Sequence, residues 1–220
     1  MSPDESNDSR LGIVGAGKIG TAIARAAVGA GYDVAISSSG AADRIELIVE
    51  VLAPGAHAVT TEEVVQYADL IILAVPMHRF RSIPHDQFAG KILVDAMNYW
   101  GEIDGVDAEL ATAPHGTSVV VQEQFPSSRV VKSLNHLGYF KFGEGRRPTG
   151  APDRLAMAAA GNDHAAVAAV MQLVDRLGFD PVDAGSLDAG IALQPDGPVF
   201  GMAHRADELS NLLRSEPSDA

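Results

Sequence analysis

An α/β fold built on one doubly wound, mostly parallel sheet is the class this chain predicts, and three observations predict it. Apolar runs without alternation recur at Leu11 to Val14, Leu70 to Val75 and Ile92 to Val94, the pattern of strands covered on both faces. Segments with apolar residues at helical spacing alternate with these runs, and the connections between them are short. A glycine-rich turn joins the first run to the first helical segment.

Taken in order, Leu11 to Val14 is a strand, and Ile19 to Ala30 is a helix with Ile23, Ala26, Ala27 and Ala30 on one side. Tyr32 to Ser37 is a second strand, and Ala41 to Leu52 a second amphipathic helix closed by Pro54-Gly55. His57 to Val59 adds a short strand before a helix over Thr61 to Tyr67, capped by Thr61 or Thr60. Pro76 stops the run that begins at Leu70. Ile92 to Asp95 and Arg129 to Lys132 repeat the strand pattern, with helical stretches around Leu110 and over Val119 to Phe125 between them. After a loop over Gly143 to Asp153 come Leu155 to Ala160 and a helix over His164 to Leu177. That helix carries Val167, Val170, Met171 and Val174 on one face, with Asp163 as its cap and Gly178 as its stop. Pro181 to Asp183 is a last strand, and Gly201 to Leu213 a C-terminal helix. The organisation expected is a polar tail over residues 1–10, one domain over 11–214, and a loose tail over 215–220.

Charge and composition narrow the function. Sixteen basic against 29 acidic residues give a formal charge of −13, so no basic surface is available to neutralise a nucleic-acid backbone. The absence of cysteine excludes disulfides and thiolate chemistry and fits a reducing compartment, with the cytoplasm as the default. No run of about 18 apolar residues occurs, so no membrane partner is expected. The seven histidines are scattered without metal-ligand spacing.

Gly15-Ala16-Gly17-Lys18-Ile19-Gly20 has the G-x-G-x-x-G spacing directly after a strand and at the start of a helix, the dinucleotide-binding element of a Rossmann-type sheet. Gly15 permits the tight turn, Gly17 lets a pyrophosphate approach, and Gly20 lets helix and strand pack; the helix N-terminus offers N–H groups to the anion. The second strand ends in Ser37-Ser38-Ser39-Gly40, where an NAD site would carry an acid for the ribose hydroxyls. Three hydroxyls and no carboxylate favour NADP(H), with Arg44 as the cation for its extra phosphate; Asp43, inside the next helix, is a weaker challenger as an acid for the ribose. In such a sheet the ligand crevice lies beyond the C-terminal strand ends, where Gly15, Ser37, Pro76, Asn98 and Asn135 fall.

These residues, with Ala74-Val75-Pro76, Val131-Lys132-Ser133-Leu134-Asn135, Gly161-Asn162-Asp163 and Gly178-Phe179 leading to Asp183 to Leu187, resemble the NADPH-dependent deazaflavin (coenzyme F-420) reductase family. The cytosolic domains of six-transmembrane metalloreductases share that fold. The resemblance implies that Ala16 to Ile19 contact pyrophosphate and Ser38 and Ser39 the adenosine phosphate. It places Val75 and the loop after it, with Pro76, Met77 and Arg79, at the nicotinamide ribose. It puts Asn135 to Leu137 and the Gly185 segment beside the nicotinamide and its acceptor. The chain departs from the family at Asp95-Ala96-Met97-Asn98-Tyr99-Trp100, where an Asn-Pro is common, and at His136, where a small hydroxyl residue is common.

Candidate substrate contacts are Met97, Tyr99, Trp100, His136, Leu137, Gly185 and Ser186. Asn98 and Asn135 either bond the carboxamide or an acceptor carbonyl, or close turns. His136 reads as a structural histidine ahead of a proton donor. Tyr99 and Trp100 are a stacking wall for a tricyclic ring or else packed aromatics. Arg146-Arg147 is a solvated loop ahead of a site for a polyanionic tail. No general acid is assigned, because hydride transfer between a nicotinamide and a deazaflavin or flavin is chemistry the two cofactors carry. The expected partner is a small-molecule redox acceptor. The alternatives are a reductase of a small imine or carbonyl and a non-catalytic NADPH-binding redox sensor. A homodimer is a reasonable expectation, through Tyr139-Phe140 and Val199-Phe200.

Overall fold

A computed structural model describes residues 9–214 of the chain. Strand β1 (Arg10–Val14) leads through the glycine turn into α1 (Lys18–Gly29), which returns the chain to β2 (Asp33–Ser37). Arg10, expected in the tail, instead opens β1 opposite Asp33. The α1 stripe of Ile23, Ala26 and Ala27 is buried as its spacing requires.

The second helix departs from expectation. A 3-10 turn (Ala42–Arg44) precedes a shorter α2 (Glu46–Leu52), and the two meet at Ile45. Only Ile45, Val49 and Ala53 face inward, while Leu47, Ile48, Val51 and Leu52 are exposed. One i, i+4, i+8 row suffices where the helix packs at the sheet margin, so apolar character here overstated burial.

Strand β3 (His57–Ala58) is followed by α3 (Thr61–Tyr67). Thr60 is its cap: Thr60 Oγ1 accepts from the Glu63 N–H while the Glu63 carboxylate accepts from the Thr60 N–H, a capping box. Strands β4 (Leu70–Leu73) and β5 (Ile92–Asp95) are linked by 3-10 turns over Met77–Ser82 and Asp86–Phe88. Ile71, Ile72 and Leu73 are wholly buried, each contributing about 1.5–3 kcal/mol of apolar burial. Two four-residue helices, α4 (Gly101–Asp104) and α5 (Ala108–Ala111), precede α6 (Thr117–Gln124) and β6 (Arg129–Ser133).

Beyond β6 lie α7 (Lys141–Glu144), β7 (Ala156–Gly161), α8 (His164–Arg176), β8 (Asp180–Gly185), a 3-10 segment (Leu187–Leu193) and α9 (Ala206–Arg214). Asp163 caps α8 by accepting the Ala166 N–H at 2.8 Å. The eight strands form one sheet in the order β3-β2-β1-β4-β5-β6-β7-β8. All neighbours are parallel except β6 and β7. Between those two the chain carries only the short α7, and β7 enters beside the end of β6, with Ser133 opposite Ala159. No described helix is long and apolar enough to cross a membrane.

Candidate functional site

Five parallel strands deliver the Gly15 turn, Ser38, Val75-Pro76, Asn98 and Asn135 to one edge of the sheet. Gly15 takes φ +124, and a Cβ there would lie 2.4 Å from the Ala74 carbonyl oxygen. A Cβ on Gly20 would lie 1.8 Å from the Gly15 oxygen, so helix and turn touch backbone to backbone. At Gly17 a Cβ would meet nothing within 4 Å. Gly17 is the N-cap of α1 with no side-chain cap, and the first turn of α1 has no acidic residue. Its leading N–H groups therefore face an open cradle with no acceptor of their own, which fits a dinucleotide diphosphate. Around it Ala16 and Ile19 are half-buried and Lys18 is exposed, its Nζ 6.0 Å from the Tyr139 ring centre.

At the end of β2 the three serines are not equivalent. Ser37 is buried, its Oγ 3.1 Å from Thr61 Oγ1, and its carbonyl accepts the Gly15 N–H. Its hydroxyl is thus spent on holding α3 to the turn, which corrects its assignment as a phosphate contact. Ser38 and Ser39 remain accessible. The Arg44 guanidinium lies against the next residue of the same turn, with Nη1 3.5 Å from where a Gly40 Cβ would be. This positive group beside two hydroxyls fits a ribose 2′-phosphate.

After β4, Val75 is half-buried and Pro76 exposed, but the Met77 side chain is wholly buried in the core with Phe80 and Phe88. Met77 can offer a ligand its backbone alone, because a thioether carried inward on the 3-10 turn adds to packing. Arg79 is exposed and donates from Nε to His78 Nε2 at 3.1 Å, and His78 Nδ1 lies 2.9 Å from Asp104 Oδ1.

The floor between β5 and β6 holds an ion pair that the apolar pattern concealed. Asp95 and Lys132 are both 0% exposed, with Lys132 Nζ 3.3 Å from Asp95 Oδ2. Asp95 also accepts from Ser118 Oγ at 2.6 Å and from the Met97 N–H at 2.9 Å, while Lys132 donates to the Met97 carbonyl. Burial holds the Lys132 ammonium below its ordinary pKa, against the pull of Asp95. Together the pair fixes the turn that presents Asn98. Asn98 Nδ2 donates to the Asn135 carbonyl at 3.0 Å, and Asn135 Nδ2 donates to Asn98 Oδ1 at 2.9 Å and to the Leu193 carbonyl at 2.6 Å. Leu134 precedes them in the left-handed region at φ 63, a conformation that costs a branched residue about 1–2 kcal/mol. Asn135 Oδ1 is buried with no donor among the described residues. The amides are thus mutually locked, in keeping with the turn-closing reading. The signal in the sequence was opposite charges, Asp95 and Lys132, ending neighbouring apolar strands.

Several expected substrate contacts lie elsewhere. Met97 and Leu137 are buried, Leu137 within the main core. His136 is 1% exposed; its Nε2 accepts the Ala158 N–H at 3.1 Å, and burial, with His204 and Lys132 nearby, pushes its pKa down to about 4. It is a neutral structural group. Gly185 and Ser186 are not brought to this edge: β8 runs opposite to β6, so Gly185 pairs with Ala160 level with Lys132 while the chain is heading away. Tyr99 stays beside Trp100 as a lining residue of a groove, although its hydroxyl donates to the Gly105 carbonyl and accepts the Asp107 N–H and its ring packs partly against the core. Arg147 is bound to Asp153, and Arg146 donates to the Leu177 carbonyl, so both close a loop. Val199 is buried and Phe200 lies edge-on to Trp100, which leaves Tyr139 and Phe140 as the exposed aromatics of the expected dimer surface.

Trp100 is 43% exposed and borders a groove of about 1000 Å³. Thr117, Gln194 and Leu213 line the same groove, residues that no sequence motif singled out. No group of three or more His, Cys, Asp or Glu able to hold a metal occurs among the described residues.

Residues 10–99 match the family described as NADP oxidoreductase, coenzyme F420-dependent. A 72-residue stretch, 33% of the chain, is 46% identical to the Escherichia coli protein YjhV, whose description names no activity, and it spans half of that relative's length. A hypothetical protein from Sinorhizobium meliloti superposes with a TM-score of 0.75 at 27% identity, over 90% of this chain and 95% of its own. A protein from Arthrobacter sp. FB24, named for an inferred F420-dependent NADP-reductase activity, has a TM-score of 0.65 at 24% identity, over 82% and 86% of the two chains. At that identity the second likeness is one of fold. The family match thus falls on the part of the sheet that carries the glycine turn, strands β1 to β5.

Proposed function

We propose that the protein is an NADP(H)-dependent oxidoreductase passing hydride between the nicotinamide and a small deazaflavin or flavin-like acceptor. The open N-terminal cradle at Gly17, beside an acid-free serine turn covered by Arg44, is the observation that carries this reading. In it the first-turn N–H groups of α1 bind the diphosphate, and Ser38, Ser39 and Arg44 bind the 2′-phosphate. The locked Asn98–Asn135 pair shapes the edge of the crevice and presents Asn98, its partly accessible amide, to the carboxamide. Trp100 supplies a face on which an acceptor ring can rest, and the apolar groove wall excludes water. Bound NADPH supplies the hydride. Neutral His136 takes no part in proton transfer, being sealed beneath the strand ends. The family description and the convergence of the strand ends support this reading.

Dissociation constants for NADPH and NADH test it, together with loss of reduced-nicotinamide absorbance on adding deazaflavin and flavin acceptors. NADPH is expected to bind tighter, and Ser38→Asp to weaken it about tenfold or more by setting a carboxylate against the phosphate. Tighter NADH binding, or an unchanged NADPH affinity in the variant, would refute the phosphate assignment.

A further inference from the structure

We propose that the groove beside Trp100 binds an uncharged planar ring and discriminates against acceptors that carry an anionic tail; this rests on the oxidoreductase reading and names the substrate class of its acceptor site.

Flatness follows from the indole. Its backbone N–H is held by Asp104 Oδ2 at 2.9 Å, and its ring is braced edge-on by Phe200, with centroids 5.7 Å apart at 65°. A braced but 43% exposed aromatic offers a fixed stacking surface at little entropic cost. Direction follows from Gln194. Its Oε1 accepts both the Thr117 N–H and Thr117 Oγ1 at 2.6 Å, which locks the carboxamide, and its Nε2 donor has no partner among the described residues. A ring carbonyl is the complement of that donor.

Charge selects further. Asp196 is the one acidic side chain lining the groove, and Glu102, Glu109 and Asp188 adjoin lining residues in the chain. Arg81 is already paired with Asp107, at 2.6 Å, and with Glu109. Arg214 adjoins the lining residue Leu213 in the chain, and His115 stands two residues from the lining Ala113 and Thr117. A phosphate or glutamate tail would therefore meet mostly carboxylates. The groove also touches the nicotinamide end of the crevice, since the Leu193 carbonyl beside Gln194 accepts from Asn135.

Trp100 is the sole tryptophan of the chain, so its emission reports this groove alone. Lumiflavin, FMN and coenzyme F-420 with its oligoglutamate tail are titrated with and without NADP present, following indole quenching and, in parallel, binding heat. Lumiflavin is expected to bind at least about tenfold tighter than FMN or the tailed deazaflavin, with the gap narrowing as salt screens the carboxylates. Gln194→Glu keeps the acceptor for Thr117 and removes the free donor; it is expected to weaken lumiflavin severalfold and leave NADPH affinity unchanged. Equal or tighter binding of FMN or F-420, or no saturable lumiflavin binding, would overturn the proposal. A lumiflavin preference in a protein that fails to bind NADPH would uphold the groove's selectivity and defeat the oxidoreductase reading.

Discussion

Acidification is expected to weaken the fold through His136. The ring is 1% exposed, and because Nε2 accepts the Ala158 N–H, the neutral form carries its proton on Nδ1, which is buried with no partner among the described residues. Burial first, and His204 and Lys132 beside it, disfavour a second proton, so the pKa falls from 6.5 to about 4. The unfolded chain then binds a proton at a pH where the folded one does not. The stability this contributes is complete above about pH 6.5 and is lost as the pH falls toward about 4. A gap of about 2.5 pH units corresponds to about 3 kcal/mol in full, of which about 2 kcal/mol is gone by pH 5. Urea unfolding of the native protein and of His136→Gln, whose amide oxygen can accept the same N–H, measures this at about pH 7.5 and about pH 5. Carboxylate titration is common to both proteins and cancels in the difference. The native protein should lose about 2 kcal/mol more than the variant. Equal losses would refute the account of His136 as a buried neutral group.

Two glycines three residues apart in the dinucleotide turn should separate binding from folding. Gly17→Ala places its methyl in open space and should leave the thermal midpoint nearly unchanged while weakening NADP(H) by about tenfold or more, the worth of a charge-assisted hydrogen bond. Gly20→Ala drives a methyl to 1.8 Å from the Gly15 oxygen and should cost more than about 3 kcal/mol of stability by denaturant titration. The reverse pattern would show that the turn is assigned backwards. Lys132→Met strips the buried partner from Asp95 and should lose about 3–5 kcal/mol in the same assay. A loss under about 1 kcal/mol would mean that Ser118 and the Met97 N–H satisfy Asp95 unaided.

Much of the site was legible because its signals are local. Gly15, Gly17 and Gly20 each answer a steric demand set within a few residues, and the ends of five strands converge wherever parallel strands do. Ser37 shows the limit. Its type and position suit a phosphate contact, yet α3 brings Thr61 against it and takes its hydroxyl. Met77, Met97 and Leu137 likewise sit in the right loops with their side chains turned into the core.

The order of residues along the chain by itself determined the alternation of strand and helix, the capping of α3 and α8, and the glycine cradle, since each depends on spacing and side-chain chemistry over a single turn or pleat. Tertiary structure alone decided the reversal at β7, which carries Gly185 and Ser186 away from the crevice. It also created the Asp95–Lys132 pair and the groove in which Thr117 meets Gln194, 77 residues distant. Such contacts arise from which strands lie side by side and in which direction, and no local pattern encodes that.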